Sequence, residues 1–306
     1  MDRIDAMSVL IAVVESGSLS AAARKLRVPL PTVSRKLSDL ETYLKTRLLV
    51  RSTRKLALTE AGAAYLAACK RILEQLRDAE RAASGEFLSP RGDLVVTAPI
   101  VFGRLHVLPL INEFLVKFPD INVRLMLSDR NVHLIDDQVD LAVRIGVLQD
   151  SAMMVTRVGS VRRVICASPV YLARYGIPKT PDDLSTHACI TFDALTSSAS
   201  WNFSSKTPRR QRAVPIRSRL NVNTAETAID AAVAGVGLTR VLSYQAARAV
   251  AQRKLKIVLA SYEPDPLPIN LVHLGQGLIA QKTRVFIDFL ASRIRRRATK
   301  ANLLNR

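Results

Sequence analysis

The chain has 306 residues, of which 48% are hydrophobic, and it carries a formal net charge of +19 at pH 7. This length and hydrophobic content allow two domains with packed cores, and the positive charge favours a polyanionic partner. No apolar run is long enough to cross a membrane, and the first residues, MDRIDAMSVL, are too acidic for a signal peptide. We therefore expect a cytoplasmic protein with no membrane partner.

The first elements along the chain are two predicted helices. Four apolar side chains recur at helical spacing and form the expected buried stripe of the first helix: Met7, Leu10, Ile11 and Val14. Gly17 is suited to end this helix, and the Ser18 hydroxyl is suited to cap the next one. The second helix is predicted over Leu19–Leu26.

A third helix is predicted to begin at Pro31, after a segment that cannot be helical. The run Val28-Pro29-Leu30-Pro31 interrupts the second helix because proline lacks an amide proton, but proline suits the first turn of a new helix. The inward face recurs at steps of four, three and four: Val33, Leu37, Leu40 and Leu44. The opposite face is polar: Thr32, Ser34, Arg35, Lys36 and Ser38.

The polar face of the third helix has two interpretations. Any solvated helix carries Ser, Arg and Lys, so composition alone favours an ordinary exposed surface. The position of the face, at the start of a helix that follows a tight turn, instead favours docking in the major groove of DNA. There, short hydroxyl side chains allow close approach, and Arg35 can donate two hydrogen bonds to guanine.

Residues 47–59 are predicted to form a short basic hairpin. It carries Arg47, Arg51, Arg54 and Lys55 between apolar residues, and fixed cations of this kind suit contacts with DNA phosphates. Together with the third helix, the hairpin gives the candidate DNA-binding residues: Ser20, Pro31, Thr32, Ser34, Arg35, Ser38, Arg51, Arg54 and Lys55.

Residues 59–88 are predicted to form one long linker helix. Small and apolar residues recur along it in steps of three and four: Gly62, Tyr65, Cys69, Ile72, Leu76, Ala79 and Ala83. This stripe packs either on its own domain or on the same helix of a second chain. We favour a homodimer, because a single helix between two domains has little of its own chain to cover it. The segment Ser89–Gly92 then forms a hinge.

From Asp93 onward the apolar period changes. Short β-branched runs alternate with helical stretches such as Arg104–Phe118, which predicts an α/β fold with mostly parallel strands. The runs are LVVTA, INVRLML, DLAVRIG, MMVTRVGS and RVICAS. The chain is expected to leave a first lobe near Arg163 and to return near Leu267, and these two crossings define a cleft. The first lobe would comprise about 90–163 and 268–295, and the second about 164–267.

Five separated blocks carry a resemblance to one family: AAARKL, TVSRKLSDLE, TRLLVRSTRKLALTEAG, DLAVRIG and CASPVYLARYG. In order, and from about residue 3 to about residue 292, the chain resembles LysR-type transcriptional regulators. One departure is Pro29, which stands where members often carry a serine or similar helix cap.

The resemblance implies a winged helix-turn-helix, a linker helix and a two-lobed effector domain similar to periplasmic binding proteins. It also implies a homo-oligomer, often a tetramer. The expected domains are 1–59 (winged helix-turn-helix), 60–89 (linker helix and hinge), 90–295 (effector-binding domain) and 296–306 (basic tail).

The candidate effector site lies where strands of both lobes end, since ligands of open α/β sheets bind beyond the carboxyl ends of strands. The resemblance implies effector contacts from the same loops. The candidates are Ala98, Pro99, Ile100, Val101, Phe102, Ser128, Asp129, Arg144, Asn223 and Thr224. Arg144 would pair a ligand carboxylate, or simply Asp129 or Asp140. Asn223 and Thr224 would be ligand donors, or simply a helix cap. The apolar lining favours a small, partly apolar organic acid.

No catalytic, metal or cofactor site is predicted. The four histidines are isolated and lack ligand spacing, and no nucleophile elbow or phosphate loop appears. Cys166 and Cys189 are candidates for a redox pair, but both lie in apolar, strand-like runs. There cysteine usually acts as a small hydrophobe, which is the interpretation that we favour. An odd number of cysteines also suits a reducing compartment.

The positive charge is not concentrated in the predicted DNA-binding part of the chain. Residues 1–90 hold 15 Lys and Arg against 10 Asp and Glu, whereas residues 91–306 hold 30 against 16. The excess of positive charge has three interpretations, which are DNA contact by the tail from Arg293 to Arg306, binding of an anionic ligand, and solubility. We favour the first and the third, with a disordered tail.

The leading hypothesis is a regulator whose DNA binding or bending is modulated by an effector bound between two lobes. RNA polymerase is a further candidate partner. One alternative is a constitutive DNA-binding repressor or architectural protein without a working effector site. Another is a small-molecule-binding or enzymatic protein that uses the helix-turn-helix only to dimerise.

Overall fold

The computed structural model describes residues 2–51, 56–83, 89–130, 134, 137, 139–148, 153–192, 200–204, 211–274 and 279–304. The chain divides into two compact units. The first is Met1–Ser89 with Gly277–Gln281, and the second is Pro90–Gln276 with Lys282–Arg306.

The first unit is built from short helices and a two-stranded wing. Its elements are α1 (Arg3–Ser16), α2 (Leu19–Leu26), α3 (Leu30–Leu44), β1 (Leu49–Arg51), β2 (Leu56–Leu58) and α4 (Glu60–Ala83). Gly17 ends α1 at φ 70°, and the Ala21 N–H donates to Ser18 Oγ at 3.1 Å, so both predicted signals at this junction are confirmed. Helix α3 begins at Leu30, one residue before the predicted start.

The core of the first unit corrects one predicted stripe. On α1 the buried side chains are Ala6, Val9, Leu10, Ala12 and Val13. Of the predicted stripe only Leu10 is among them, and the other three members pack at the edge of the core: Met7, Ile11 and Val14. The reason is that α1 is apolar around most of its circumference, so spacing alone cannot select the buried side. On α3 the predicted inward face is confirmed, with its last member, Leu44, partly buried.

Helix α4 starts at a tight junction with the wing. The Thr59 hydroxyl donates to Arg47 O at 2.8 Å and accepts from the Gly62 N–H at 2.9 Å. A Cβ on Gly62 would lie 2.0 Å from Leu48 O, so only glycine allows this approach. Farther along α4, Cys69 is buried in the core of the first unit, whereas Ile72 is 44% exposed. The predicted stripe therefore changes from covered to open at Ile72.

The described helices do not include a membrane-spanning one. No single one is long and apolar enough to span a bilayer, and only α1 and α2 together, bent by 120°, reach that length and composition. Their apolar side chains form the core of the first unit.

The second unit contains two five-stranded sheets, each the centre of one lobe. The first lobe comprises β3 (Gly92–Ala98), α5 (Ile100–Phe102), a π-helical segment (Gly103–Val107), α6 (Leu108–Lys117), β4 (Ile121–Leu127), β5 (Leu141–Ile145), β6 (Met153–Val161), β14 (Leu267–Leu274) and α10 (Gln281–Leu304). Its strand order is β4-β3-β5-β14-β6. Helices α6 and α10 cover one face with a core centred on Phe114 and Phe286.

The second lobe follows the crossing at Arg162. It comprises β7 (Arg163–Ala167), α7 (Pro169–Tyr175), a 3-10 turn (Pro181–Thr186), β8 (Ala188–Phe192), β9 (Ser200–Ser204), β10 (Gln211–Pro215), β11 (Arg217–Val222), α8 (Ala225–Val233), β12 (Leu238–Leu242), α9 (Ser243–Ala251), β13 (Lys256–Val258) and a 3-10 turn (Ala260–Tyr262). Its strand order is β11-β8-β12-β7-β13.

Both large sheets are mixed, but in each of them four of the five strands run in the same direction, in agreement with the prediction of mostly parallel strands, and one strand runs opposite. Strand β3 pairs in parallel with β4 and β5, and β8 pairs in parallel with β11 and β12. The remaining pairings are antiparallel and involve β14 and β7. These two strands enter their sheets directly from the other lobe, and they run opposite to strands that helices connect.

The C-terminal tail also differs from the expectation of disorder. Helix α10 continues to Leu304 and so includes most of the basic tail. Near its middle, Arg293 Nε donates to Glu113 at 3.2 Å, and its guanidinium lies 3.5 Å from the centroid of the Phe289 ring. The bond to Glu113 fastens α10 to α6, whereas the ring contact lies within α10.

Candidate DNA-binding and effector sites

The polar side chains of α3 differ in their exposure and in whether they are already paired. Arg35 and Ser38 are exposed, and Arg35 has no side-chain partner among the described residues. Lys36, its neighbour, instead forms an ion pair with Asp5 on α1. Thr32 and Ser34 are partly exposed, and Ser20 on α2 and Pro31 are exposed. The arrangement therefore leaves Arg35 as the cation on α3 that an external acceptor can engage.

The start of α3 shows the effect of Pro29. Pro29 occupies the N-cap position at φ −58° and ψ 142°, and no side chain caps the helix there. Its carbonyl accepts from the N–H groups of Thr32 and Val33, and Pro31 has no N–H to offer. Few amide donors are left for a phosphate, so this helix end depends on its side chains.

The wing is held to α3 by a carboxylate that the sequence reasoning missed. Glu41 Oε1 accepts from the N–H groups of Leu48 and Leu49 at 2.7 and 3.0 Å. Strand β1 then pairs antiparallel with β2, with Arg51 opposite Leu56. The signal was present in the sequence, because Glu41 ends the block TVSRKLSDLE.

Part of the predicted basic hairpin lies outside the described residues. Arg54 and Lys55 lie outside the described residues, as does the side chain of Arg51. Arg47, at the base of the wing, is exposed.

In the second unit, Asp129 lies at the carboxyl end of the first sheet and caps the helical run after β3. The Ile100 N–H donates to its Oδ1 at 3.1 Å. Its second oxygen, Oδ2, is buried and has no partner among the described groups. Burial raises the pKa of Asp129, the bond from Ile100 partly opposes this, and the nearby charge of Glu226 adds to it.

An aromatic cluster joins the two lobes beside Asp129. Phe102 and His106 come from the first lobe and Tyr244 from α9 of the second, with ring centroids 4.8 to 5.5 Å apart. The Tyr244 hydroxyl is buried without a described partner. Burial raises the pKa of Tyr244, the charge of Asp129 raises it further, and the neighbouring Gln245 side chain partly opposes this rise. Tyr244 was not among the predicted residues, because its run, LSYQAARAV, looks like an ordinary helix start.

Polar contacts at the N-terminus of α8 form a second link between the lobes. Arg104 forms an ion pair with Glu226 across the two lobes. Thr224 caps α8, since its Oγ1 accepts from the Thr227 N–H at 3.3 Å. Thr224 therefore fills its structural role, while Asn223 is exposed.

The remaining predicted effector residues are scattered. Ala98, Val101 and Phe102 are 0%, 3% and 4% exposed and lie in packed cores. Pro99 and Ile100 are partly exposed, and Ser128 Oγ accepts from the Arg130 N–H. Arg144 pairs with neither Asp129 nor Asp140. Its Nη2 is buried without a described partner, and burial lowers its pKa.

The cysteines support a structural role. Cys166 and Cys189 lie in different cores on opposite faces of the second sheet, with β12 between their strands. Burial raises the pKa of both thiols to about 12, which disfavours the reactive thiolate. Within the described part of the chain, no three potential metal ligands gather.

Two family comparisons cover most of the chain. Residues 4–63 match the "Bacterial regulatory helix-turn-helix protein, lysR family", and residues 88–295 match the "LysR substrate binding domain". The chain is a LysR-type transcriptional regulator. The fold class that the sequence predicted, a helix-turn-helix followed by a two-lobed α/β effector domain, is thereby confirmed, as is the assignment to this family.

Individual proteins to which this regulator is similar are also described as transcriptional regulators. An HTH-type transcriptional regulator of Xanthomonas campestris pv. campestris (strain 8004) is 36% identical over 290 residues, which is 94% of this chain and 84% of the relative. The HTH-type transcriptional activator AaeR of Escherichia coli (strain K12) is 32% identical over 292 residues, covering 95% and 93%. CrgA, a LysR-type regulator from Neisseria meningitidis, matches with a TM-score of 0.60 at 30% identity, covering 95% and 98%.

Proposed function

We propose that a small organic acid enters between the two lobes and changes how this regulator binds or bends DNA. The supporting observation is the pair of buried, unpartnered oxygens Asp129 Oδ2 and Tyr244 Oη. Since buried polar atoms are nearly always hydrogen-bonded, a ligand hydroxyl or protonated carboxyl that donates to Asp129 Oδ2 and accepts from the Tyr244 hydroxyl is favoured at this place. The Arg104–Glu226 ion pair and the Phe102–Tyr244 contact would then rearrange, which biases the lobes.

On the DNA side, α3 enters the major groove and Arg35 reads a guanine. Ser20, Thr32, Ser34 and Ser38 lie at the same surface and contact phosphates or base edges, with Pro31 packing close to the backbone. Arg51, Arg54 and Lys55 on the wing contact phosphates.

The assembly that we propose is a homodimer through α4, and a tetramer of two such dimers. This proposal rests on the change in side-chain exposure along α4, from the buried Cys69 to the exposed Ile72. Two-fold symmetry then matches an inverted repeat in the DNA. The regulator acts in the cytoplasm, contacts RNA polymerase at promoters and has no catalytic activity of its own. Its domains divide as 1–59, 60–89, 90–295 and 296–306.

Footprinting on the DNA that flanks the gene tests the proposal. The full-length protein is incubated with and without a panel of small organic acids and aromatic compounds. We expect a protected inverted repeat whose pattern shifts with one compound. The Tyr244→Phe variant should keep the unliganded footprint and lose the shift, whereas the matched Tyr171→Phe variant, in the second lobe, should keep both.

A second candidate, a constitutive DNA-binding repressor or architectural protein, is favoured by one observation. Ala98, Val101 and Phe102 are packed in cores, so part of the expected pocket is already filled. On this alternative, protection is strong and no compound in the panel alters it.

A further inference from the structure

Two arginines in the second lobe lack a counter-charge among the described residues. Arg240 on β12 is 6% exposed, and Arg163 on β7 is partly buried. Nε and Nη1 of Arg240 and Nε of Arg163 are buried and donate to no described acceptor. Burial removes the water that would otherwise accept these bonds, so an unpaired guanidinium inside a protein is costly and rare.

Both arginines leave the same face of the second sheet. The register pairs Arg240 with Ile165 and Leu242 with Arg163, which makes the two arginines diagonal neighbours. Leu242, opposite Arg163, packs in the core of the first lobe, so this end of the sheet abuts the first lobe. The Arg240 guanidinium also lies 5.3 Å from the centroid of the Trp201 ring.

The electrostatics agree with this geometry. Burial lowers the pKa of Arg240 to about 9, and the positive charge of Arg163 contributes. Burial lowers the pKa of Arg163 as well. Arg212 on β10 of the same lobe is the opposite case, because it is exposed and donates to both oxygens of Asp182 at 2.7 and 3.0 Å.

We propose that Arg163 and Arg240 bind the oxyanion of a small ligand, a carboxylate or a phosphate-type group, beside Trp201. This rests on the proposed function, since the anion is the charged end of the effector or an inorganic ion in its place. The sequence predicted Arg144, in the first lobe, as the partner of a ligand carboxylate. The present proposal instead assigns that role to two arginines of the second lobe. Two guanidinium groups with spare N–H donors match the acceptor oxygens of such a group.

The alternative counter-charge is a carboxylate of the chain itself from outside the described residues, such as Asp193. A stability measurement separates the two. Replacing an unpaired buried cation with an apolar side chain removes a desolvation cost and stabilises the protein. Replacing one member of an internal ion pair leaves a buried carboxylate behind and destabilises it.

The experiment uses the full-length protein in a zwitterionic buffer with minimal chloride. Thermal unfolding and calorimetric titration are measured with sodium benzoate, acetate, phosphate and chloride as probes. Arg240→Met and Arg163→Met keep an apolar stem of similar length, and Arg212→Met is the matched control. We expect Tm of the wild type to rise saturably with an oxyanion, by roughly 5–10 °C at about 100 times its Kd.

In the same buffer without anion, Arg240→Met should raise Tm, while each of the two variants weakens oxyanion binding about 10- to 100-fold. Arg212→Met should bind like the wild type. A preference for benzoate over phosphate assigns the site to an organic acid, and the reverse assigns it to an inorganic ion. A lower Tm for Arg240→Met, or equal binding by all variants, overturns the proposal.

Footprinting keeps this inference separate from the proposed function. If the oxyanion binds through the arginines but no compound alters the footprint, the site stands and the effector response fails. If a compound shifts the footprint equally in the wild type and in Arg240→Met, the response stands and the arginine site fails.

Discussion

The two units differ in whether their polar side chains have hydrogen-bond or ion-pair partners. In the first unit, two charged side chains next to the proposed DNA-binding face of α3 are paired, since Glu41 accepts from two amide groups and Lys36 forms an ion pair with Asp5. In the second unit, buried atoms of Asp129, Tyr244 and Arg240 have no described partners. A surface that reads DNA must be rigid before binding, whereas a region that receives a ligand keeps donors and acceptors for it. Substitutions in either unit can test this difference.

The largest expected effect comes from Gly62→Ala. Its Cβ would lie 2.0 Å from the Leu48 carbonyl oxygen, so the wing must move away from α4. We expect a loss of roughly 3 kcal/mol from the first unit and loss of specific DNA binding, as for severe overpacking. Thermal unfolding and gel-shift titration measure both.

Gly237→Ala is the matched counterpart in the second unit. Its Cβ would lie 2.3 Å from Ala188 O, so the damage should fall on the second lobe while DNA binding survives. If Gly62→Ala binds DNA normally, the wing does not depend on this junction and the contrast between the units weakens.

Arg35→Ala is the next largest. If Arg35 reads a guanine, the variant should lose about 1–3 kcal/mol of specific affinity and much less of non-specific affinity. Lys36→Ala is the control, because Lys36 is already engaged by Asp5 and should matter less for specificity. Equal loss of both affinities in Arg35→Ala would make Arg35 a phosphate contact. Titration on cognate and scrambled duplexes at two salt concentrations decides.

Two tyrosines of the second lobe, Tyr171 and Tyr244, sharpen the comparison within the second unit. The Tyr171 hydroxyl accepts from the Ala188 N–H at 3.0 Å and lies 3.2 Å from His187 Nδ1, whereas the Tyr244 hydroxyl has no described partner. Tyr171→Phe should cost about 1 kcal/mol, and Tyr244→Phe should be neutral or stabilising. Chemical denaturation of both variants is the measurement. A clear destabilisation by Tyr244→Phe would mean that its hydroxyl is already paired.

Sequence reasoning succeeded where local rules decide and failed where tertiary packing decides. The start of α2 followed from Gly17 and Ser18, and the inward face of α3 followed from a regular polar and apolar alternation. The stripe on α1 failed because that helix is apolar on most sides. The reversed direction of β7 and β14 was not predicted, because it depends on the crossings between lobes, which no local run of residues encodes.

The effector region shows the same limit more strongly. The loop after β3 and Asp129 followed from the rule about strand ends. Tyr244, Glu226 and Arg240 did not, since each becomes notable only when distant segments meet. Arg240 in the run GVGLTRVLS looks like an exposed arginine on a strand, yet it is 6% exposed.

The smallest expected effect is a pH dependence of opposite sign in the two units. The bond from Lys25 holds the pKa of Glu15 below its usual 4.5, and burial holds that of Asp129 above its usual 3.8. Glu15 therefore stabilises the first unit above pH 4.5, and this contribution is lost as pH falls through the lowered pKa. Asp129 favours the second unit below pH 3.8, and this is lost as pH rises through the raised pKa.

At neutral pH, Glu15→Gln should therefore destabilise the first unit, by less than about 1 kcal/mol because the pair is exposed. Asp129→Asn should stabilise the second unit, since the amide oxygen still accepts from Ile100 and no buried charge remains. Urea unfolding between about pH 4 and pH 7 separates the two signs. If Asp129→Asn is instead destabilising at pH 7, the carboxylate already has a partner. A ligand between the lobes would then have to displace that partner before it could bind, so the response would be weaker and would grow with acidification.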